Sequence, residues 1–206
     1  MSVHNLVYFI IMKLSGSYQI NLEKQKVWEA LNDAEILRKS IPGCESFIKS
    51  SDTEFTATAK NKIGPFNASF TGDIKLKEIS PPNSYIIEGS GNSPVGFASG
   101  KAKVKLEDSE GGTKLSYDVE ANVGGKIAQI GSRLIDMTAK KMADVFFSKF
   151  SELVSSQNVS NENEKNLEEK NKNQALKSKN NKISNNKILF YGSILVLLAI
   201  VGYLLT

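Results

Sequence analysis

The periodicity of this chain changes once, and that change decides its fold. Over most of the stretch from Lys13 to Gly125, apolar and polar residues alternate. After the Gly124-Gly125 pair, apolar residues recur every three to four positions. Alternation is the mark of strands with one buried face, and the longer period is the mark of an amphipathic helix. The pattern predicts an α+β domain, with an antiparallel sheet covered by one long C-terminal helix. A first strand is expected over residues 13–20, then a helix capped by Asn21 that carries Val27, Trp28 and Leu31 on one face. A second short helix over 34–40 ends before Pro42-Gly43. Five or six strands follow, with turns at residues 50–52, 64–65, 80–83, 92–94 and 109–112. Connections this short join antiparallel neighbours. The final helix is expected over 126–155, with the stripe Ile127, Ile130, Leu134, Ile135, Met142, Val145, Phe146, Phe150, Leu153 and Val154.

Alternation also divides each strand into two faces. Lys101, Lys103, Lys105 and Glu107 point outward, as do Lys114, Ser116, Asp118 and Glu120. The inward set is rich in small residues: Ala57, Ala59, Ala68, Gly72, Ala98, Gly100, Ala102 and Ala121, beside Val119. Two readings stay open at this level. Small residues let a helix lie close to a curved sheet, or they leave a cavity walled by Phe66, Phe70, Tyr117, Ile127, Ile130 and Leu134. A cavity with such walls would suit an apolar or amphipathic ligand.

Several chemistries find little support. Cys44 is the lone cysteine and His4 the lone histidine, so neither a disulfide nor a Cys/His metal site can be assembled. No cofactor is called for: there is no P-loop, and Gly89-x-Gly91 does not open a helix. Cys44 has no histidine to generate its thiolate and reads as a small turn residue. Asp33, Asp136 and Asp144 fall on helices with no sign of an acid/base pair. Residues 13–154 hold 19 Lys and Arg against 18 Asp and Glu, while residues 155–206 hold 7 Lys against 4 Glu. A nearly neutral domain gives no basis for a nucleic-acid partner.

The ends of the chain differ in kind. Residues 1–12 read as a short extension, whose apolar run is too short to span a bilayer and lacks the basic start of a signal peptide. Residues 13–155 form the domain. Residues 156–187, rich in Asn, Lys, Glu and Ser, read as a disordered polar linker. Residues 188–206 carry no charge and, as a helix, would span roughly 28 Å, close to the hydrocarbon thickness of a bilayer. Ile188 and Leu205 lie within that run, and Tyr191 and Tyr203 stand near its two ends, where amphipathic rings favour the interface. Lys177, Lys179, Lys182 and Lys187 precede it, which places the domain on the cytoplasmic side of the cell membrane.

Two segments carry a family resemblance. Ile41-Pro42-Gly43-Cys44-Glu45 follows the early helices, and the run Val123-Gly124-Gly125-Lys126-Ile127-Ala128-Gln129-Ile130-Gly131-Ser132-Arg133-Leu134-Ile135 opens the long one. In order and distance they resemble the G-subunit family of carbon monoxide dehydrogenase, within the START-like, or SRPBCC, helix-grip superfamily. The resemblance implies a seven-stranded antiparallel sheet gripping the C-terminal helix, with an apolar cavity between them. It also implies a non-catalytic role beside molybdenum hydroxylases of the carbon monoxide dehydrogenase type, attaching them to the membrane. On that reading Gly124 and Gly125 form the joint between last strand and helix. Lys126 and Arg133 stand at the cavity mouth, and Gly131 thins the helix wall. The expected ligand is apolar, such as a quinone. Two alternatives are a lipid-binding or transfer module without a dehydrogenase partner, and a cyclase- or hydrolase-type enzyme, for which Tyr117 is the main candidate residue.

Overall fold

The computed structural model describes residues 9–172. Seven strands form one sheet: β1 (Phe9–Ile20), β2 (Cys44–Lys49), β3 (Glu54–Ile63), β4 (Phe66–Ser80), β5 (Ser84–Ser93), β6 (Gly96–Ser109) and β7 (Gly112–Gly125). Their order is β1-β7-β6-β5-β4-β3-β2, with every neighbouring pair antiparallel. Two short helices, α1 (Lys24–Ala30) and α2 (Ala34–Ser40), carry the chain from one edge strand to the other. A 3₁₀ turn at Lys126–Ile130 leads into α3 (Ser132–Lys172), which packs against β1 and α2. The period change predicts the antiparallel sheet and its long helix, and the family resemblance implies the seven-stranded helix-grip form they take.

Several boundaries differ from the sequence reading, each for a physical reason. β1 begins at Phe9, because Phe9 to Met12 pair with Gly124 to Ala121 of β7 and Met12 is buried. Residues 9–12 therefore belong to the sheet rather than to an extension. Asn21 is not the cap of α1. That place falls to Glu23, whose side chain makes no capping bond, whereas α2 is capped by Asp33, whose Oδ1 accepts from the Glu35 and Ile36 amides. The long helix is interrupted at Gly131, whose φ of 91° ends the 3₁₀ turn. α3 then continues to Lys172, so residues 156–172, expected in the linker, are helical. Residues 173–187 and the apolar run 188–206 lie outside the described residues.

The core sits between the inner sheet face and α3. Its helix side is Ile135, Ala139, Met142, Ala143, Phe146, Phe147, Phe150 and Val154, all buried. Leu134 and Val145, expected on that stripe, face outward with 40% and 43% of their surface exposed. At 100° per residue the buried arc centres between Ala139 and Phe150, which turns Leu134 and Val145 towards solvent.

Candidate functional site between sheet and helix

The inner floor is formed where the expectations placed it. Phe70, Ala98, Ala102, Tyr117, Val119 and Ala121 alternate inward from β4, β6 and β7, and Ile127 of the 3₁₀ turn is buried against Gly96 at the start of β6. They are not, however, the walls of an open chamber. Ala98, Ala102, Val119, Ala121 and Ile127 retain at most 2% of their surface. A void holding even one water would leave accessible area on its walls, so these side chains face packed neighbours. Ala139 and Ala143 on α3 and the alanines of the sheet are all buried, and of the strands it is β1 against which α3 packs. A molecule that reaches this floor has to displace side chains.

The remaining expected wall residues gather at one end of the domain, as a rim. Phe66 and Ile130 are half-buried and Leu134 is exposed. The β3–β4 turn lies against them: a Cβ on Gly64 would meet Leu134 Cδ2 at 3.8 Å and Ile130 Cγ2 at 3.9 Å. The β5–β6 turn joins the same end, since the Val95 carbonyl accepts from the Ile127 amide at 3.1 Å. Gly124 is buried, and Gly125 (φ 90°) sets the strand-to-turn joint, where a Cβ would stand 2.7 Å from the Gly96 Cα. Lys126 and Arg133 are exposed beside it. Gly131 does not thin a wall: a Cβ there would meet nothing within 4 Å, and its role is the positive φ.

Tyr117 is committed elsewhere. Its ring stacks with Tyr18 and Phe147 at centroid distances of 6.1 and 5.9 Å, and Tyr18 lies 4.1 Å from Phe147. The Tyr18 hydroxyl donates to Asp144 Oδ1 on α3. Burial holds the Tyr18 phenol protonated far above its usual range, and the Asp144 carboxylate adds to the effect. Burial also raises the Tyr117 phenol. This cluster clamps β1 to α3. Sequence reasoning passes over Tyr18 and Phe147, although Tyr18 shares the inward parity of Met12 and Ile20.

Other groups offer little reaction chemistry. Burial pushes the Cys44 thiol up, and its Sγ–H donates to the Ser46 carbonyl. The buried Ser40 and Thr113 hydroxyls donate to the Ile36 and Leu22 carbonyls. Among the described residues no three His, Cys, Asp or Glu side chains converge on a metal position. The outer sheet face carries a trough of about 1010 Å³, in which Lys13 pairs with Glu120 at 3.0 Å and Lys75 with Glu54 at 2.7 Å.

The sheet, the joint at Gly125 and the helix that follows it are also what the family comparison recognises. The profile of the carbon monoxide dehydrogenase G subunit (CoxG) matches residues 16–155. The chain belongs to the CoxG family. The match begins within β1 and ends inside α3, so it spans nearly all of the CoxG-type sheet and the helix part that covers it. Family membership associates the chain with carbon monoxide dehydrogenase in an accessory role.

Solved structures agree on the fold. A conserved protein from Geobacillus kaustophilus is 28% identical, with a TM-score of 0.67 over 70% of this chain and 96% of that one. An uncharacterised protein from Rhizobium leguminosarum is 13% identical, with a TM-score of 0.58 over 74% and 99%. The Zhui aromatase/cyclase from Streptomyces sp. R1128 is 10% identical, with a TM-score of 0.50 over 71% and 94%, a likeness of fold alone. A comparison with curated proteins produced no match.

Proposed function

We propose that this chain is a membrane-attached accessory protein that keeps a molybdenum-containing dehydrogenase of the carbon monoxide type at the cytoplasmic face of the cell membrane. The observation that carries the reading is the joining, in one chain, of a CoxG domain to 19 uncharged residues at 188–206. Among the described residues no helix is long and apolar enough to cross a membrane. The attachment therefore rests on the hydrophobicity and flanking lysines of that segment. Cell fractionation with and without residues 188–206 tests it. Dehydrogenase activity should leave the membrane fraction when the segment is deleted. Activity that stays membrane-bound regardless would end the recruitment reading.

The domain also binds an apolar ligand, with a quinone the leading candidate, between sheet and α3. The rim of Phe66, Ile130 and Leu134 supports this reading, and the packed floor sets its condition. Binding has to move the 3₁₀ turn and the start of α3 away from the sheet, and Gly125 and Gly131 stand at the two ends of that turn. Mass spectrometry of the purified protein, before and after incubation with a menaquinone analogue, tests it. A protein that releases nothing and takes up nothing would refute ligand binding.

An enzyme of the aromatase/cyclase kind needs polar groups that converge on a substrate. Tyr117, the residue that such a reading would use, is engaged with Tyr18 and Phe147, which favours the accessory role. A transfer module without a dehydrogenase partner is the reading left if no dehydrogenase binds.

A further inference from the structure

One end of the domain brings exposed apolar side chains together with a fringe of cations. The β3–β4 turn, the β5–β6 turn, the 3₁₀ turn and the start of α3 meet there. Leu134 and Met137, one turn apart on α3, expose 40% and 65% of their surface. Half-buried Ile130 lies with Leu134 against Gly64 of the β3–β4 turn, and half-buried Phe66 follows that turn. Large apolar side chains this exposed, and contiguous with a half-buried apolar rim, mark a surface that is covered in use.

The charges around the rim are nearly all of one sign. Lys62 precedes the β3–β4 turn, Lys126 opens the 3₁₀ turn, and Arg133 and Lys140 flank Leu134 and Met137; all four are exposed. Asp136 is the acid among them. The β6–β7 turn at the far end of the sheet instead carries Asp108 and Glu110. An apolar patch fringed by cations is complementary to an anionic bilayer: the apolar side chains enter the headgroup boundary and the cations stay at the phosphates.

We infer that this rim, with Leu134 and Met137 at its tip, docks on the surface of an anionic lipid bilayer. The inference rests on the membrane-attachment reading above and gives that membrane a second contact on the domain. Chain length sets the pose. α3 has 41 residues and is about 60 Å long at 1.5 Å per residue. The chain from Lys172 to Ile188 reaches at most roughly 55 Å when fully extended. The rim and the apolar segment can therefore meet one bilayer only if α3 leans by about 25° or more from the bilayer normal. Leaning brings the outward face of α3, with Met137, Lys141 and Val145, towards the lipid. The docked rim would also open the sheet–helix interior directly to the bilayer.

The test uses the full chain in a Cys44→Ser background, with a polarity-sensitive dye on Met137→Cys or, as a control at the far end, on Glu110→Cys. Each protein is reconstituted into vesicles of phosphatidylcholine with one-quarter phosphatidylglycerol, and into pure phosphatidylcholine vesicles. The expected result is blue-shifted emission at 137, quenched by lipid-borne quencher, strongest in the anionic vesicles and reduced by Lys62→Glu with Arg133→Glu. Emission at 110 should stay aqueous. Protein that floats with the vesicles but reports an aqueous 137 would overturn the docking and leave the tether standing. Protein that does not float would overturn both. A blue shift that persists in detergent micelles and rises with protein concentration would assign the rim to a second copy of the chain instead.

Discussion

Gly16 and Tyr117 are register partners across β1 and β7, and a Cβ added to Gly16 would stand 2.5 Å from the Tyr117 hydroxyl oxygen. The glycine is what lets the Tyr117 ring lie flat between strand and helix. Tyr117 cannot swing aside freely, because its ring stacks on Tyr18 and Phe147. Gly16→Ala should therefore destabilise the domain by about 1–3 kcal/mol, the usual cost of overpacking a filled core. Tyr117→Phe removes the closest atom and should restore part of that loss in the double variant. Urea denaturation of the four proteins of the cycle measures it, and additive effects would show that the two residues do not touch.

The same cluster gives the domain an alkaline limit. Tyr18 and Tyr117 have phenols raised above the ordinary value of 10.0 in the folded state, chiefly by burial. The unfolded chain loses these protons first. Their contribution is complete below about pH 10 and is lost as pH rises above it towards the folded values. Thermal melts between pH 9 and 11 should show a falling midpoint, and Tyr18→Phe should fall less steeply. An identical slope would mean that the Tyr18 phenol is as easily ionised folded as unfolded.

Asp33 reads from sequence as a helical residue without a catalytic partner, and its use is structural. Its carboxylate accepts from the Glu35 and Ile36 amides at 2.8 and 3.0 Å. Asp33→Ala should cost about 1 kcal/mol, the typical value of an N-cap, whereas Asp33→Ser or Asn should cost much less. Equal losses in all three would place the effect outside the cap.

The packed floor predicts how ligand binding responds to volume. Ala102 has no accessible surface. Ala102→Val adds two methyl groups where nothing is vacant, and should lower stability by about 1–3 kcal/mol. If apolar ligands bind by opening this interface, the same change should also weaken their uptake. A variant with native stability and unchanged uptake would place the ligand elsewhere.

Much of the fold is legible in the chain, because one sheet face is buried and alternation reports that directly. Inward Leu115, Tyr117, Val119 and Ala121 and outward Lys114, Ser116, Asp118 and Glu120 separate as expected. Helix 34–40 is legible to the residue, between its cap Asp33 and Pro42. Depth is not legible. Spacing says that Ala98 and Ala102 point inward, but not how near the helix comes to them. The phase of α3 is hidden for a related reason. Leu134 and Val145 are apolar and read as core, while Ala139 and Ala143, buried on α3, look featureless in a sequence. Met12 reads as the end of an extension, and its pairing with Ala121 appears only once β7 is in place.

On the function proposed above, this CoxG chain physically holds a dehydrogenase on a bilayer. Vesicle flotation with purified components tests it most directly: the full chain is reconstituted into vesicles, purified carbon monoxide dehydrogenase is added, and the floated fraction is assayed. The dehydrogenase should float with vesicles carrying residues 1–206 and stay at the bottom with empty vesicles or with the chain lacking 188–206. Dehydrogenase that stays at the bottom in every case, or floats equally with empty vesicles, would contradict it.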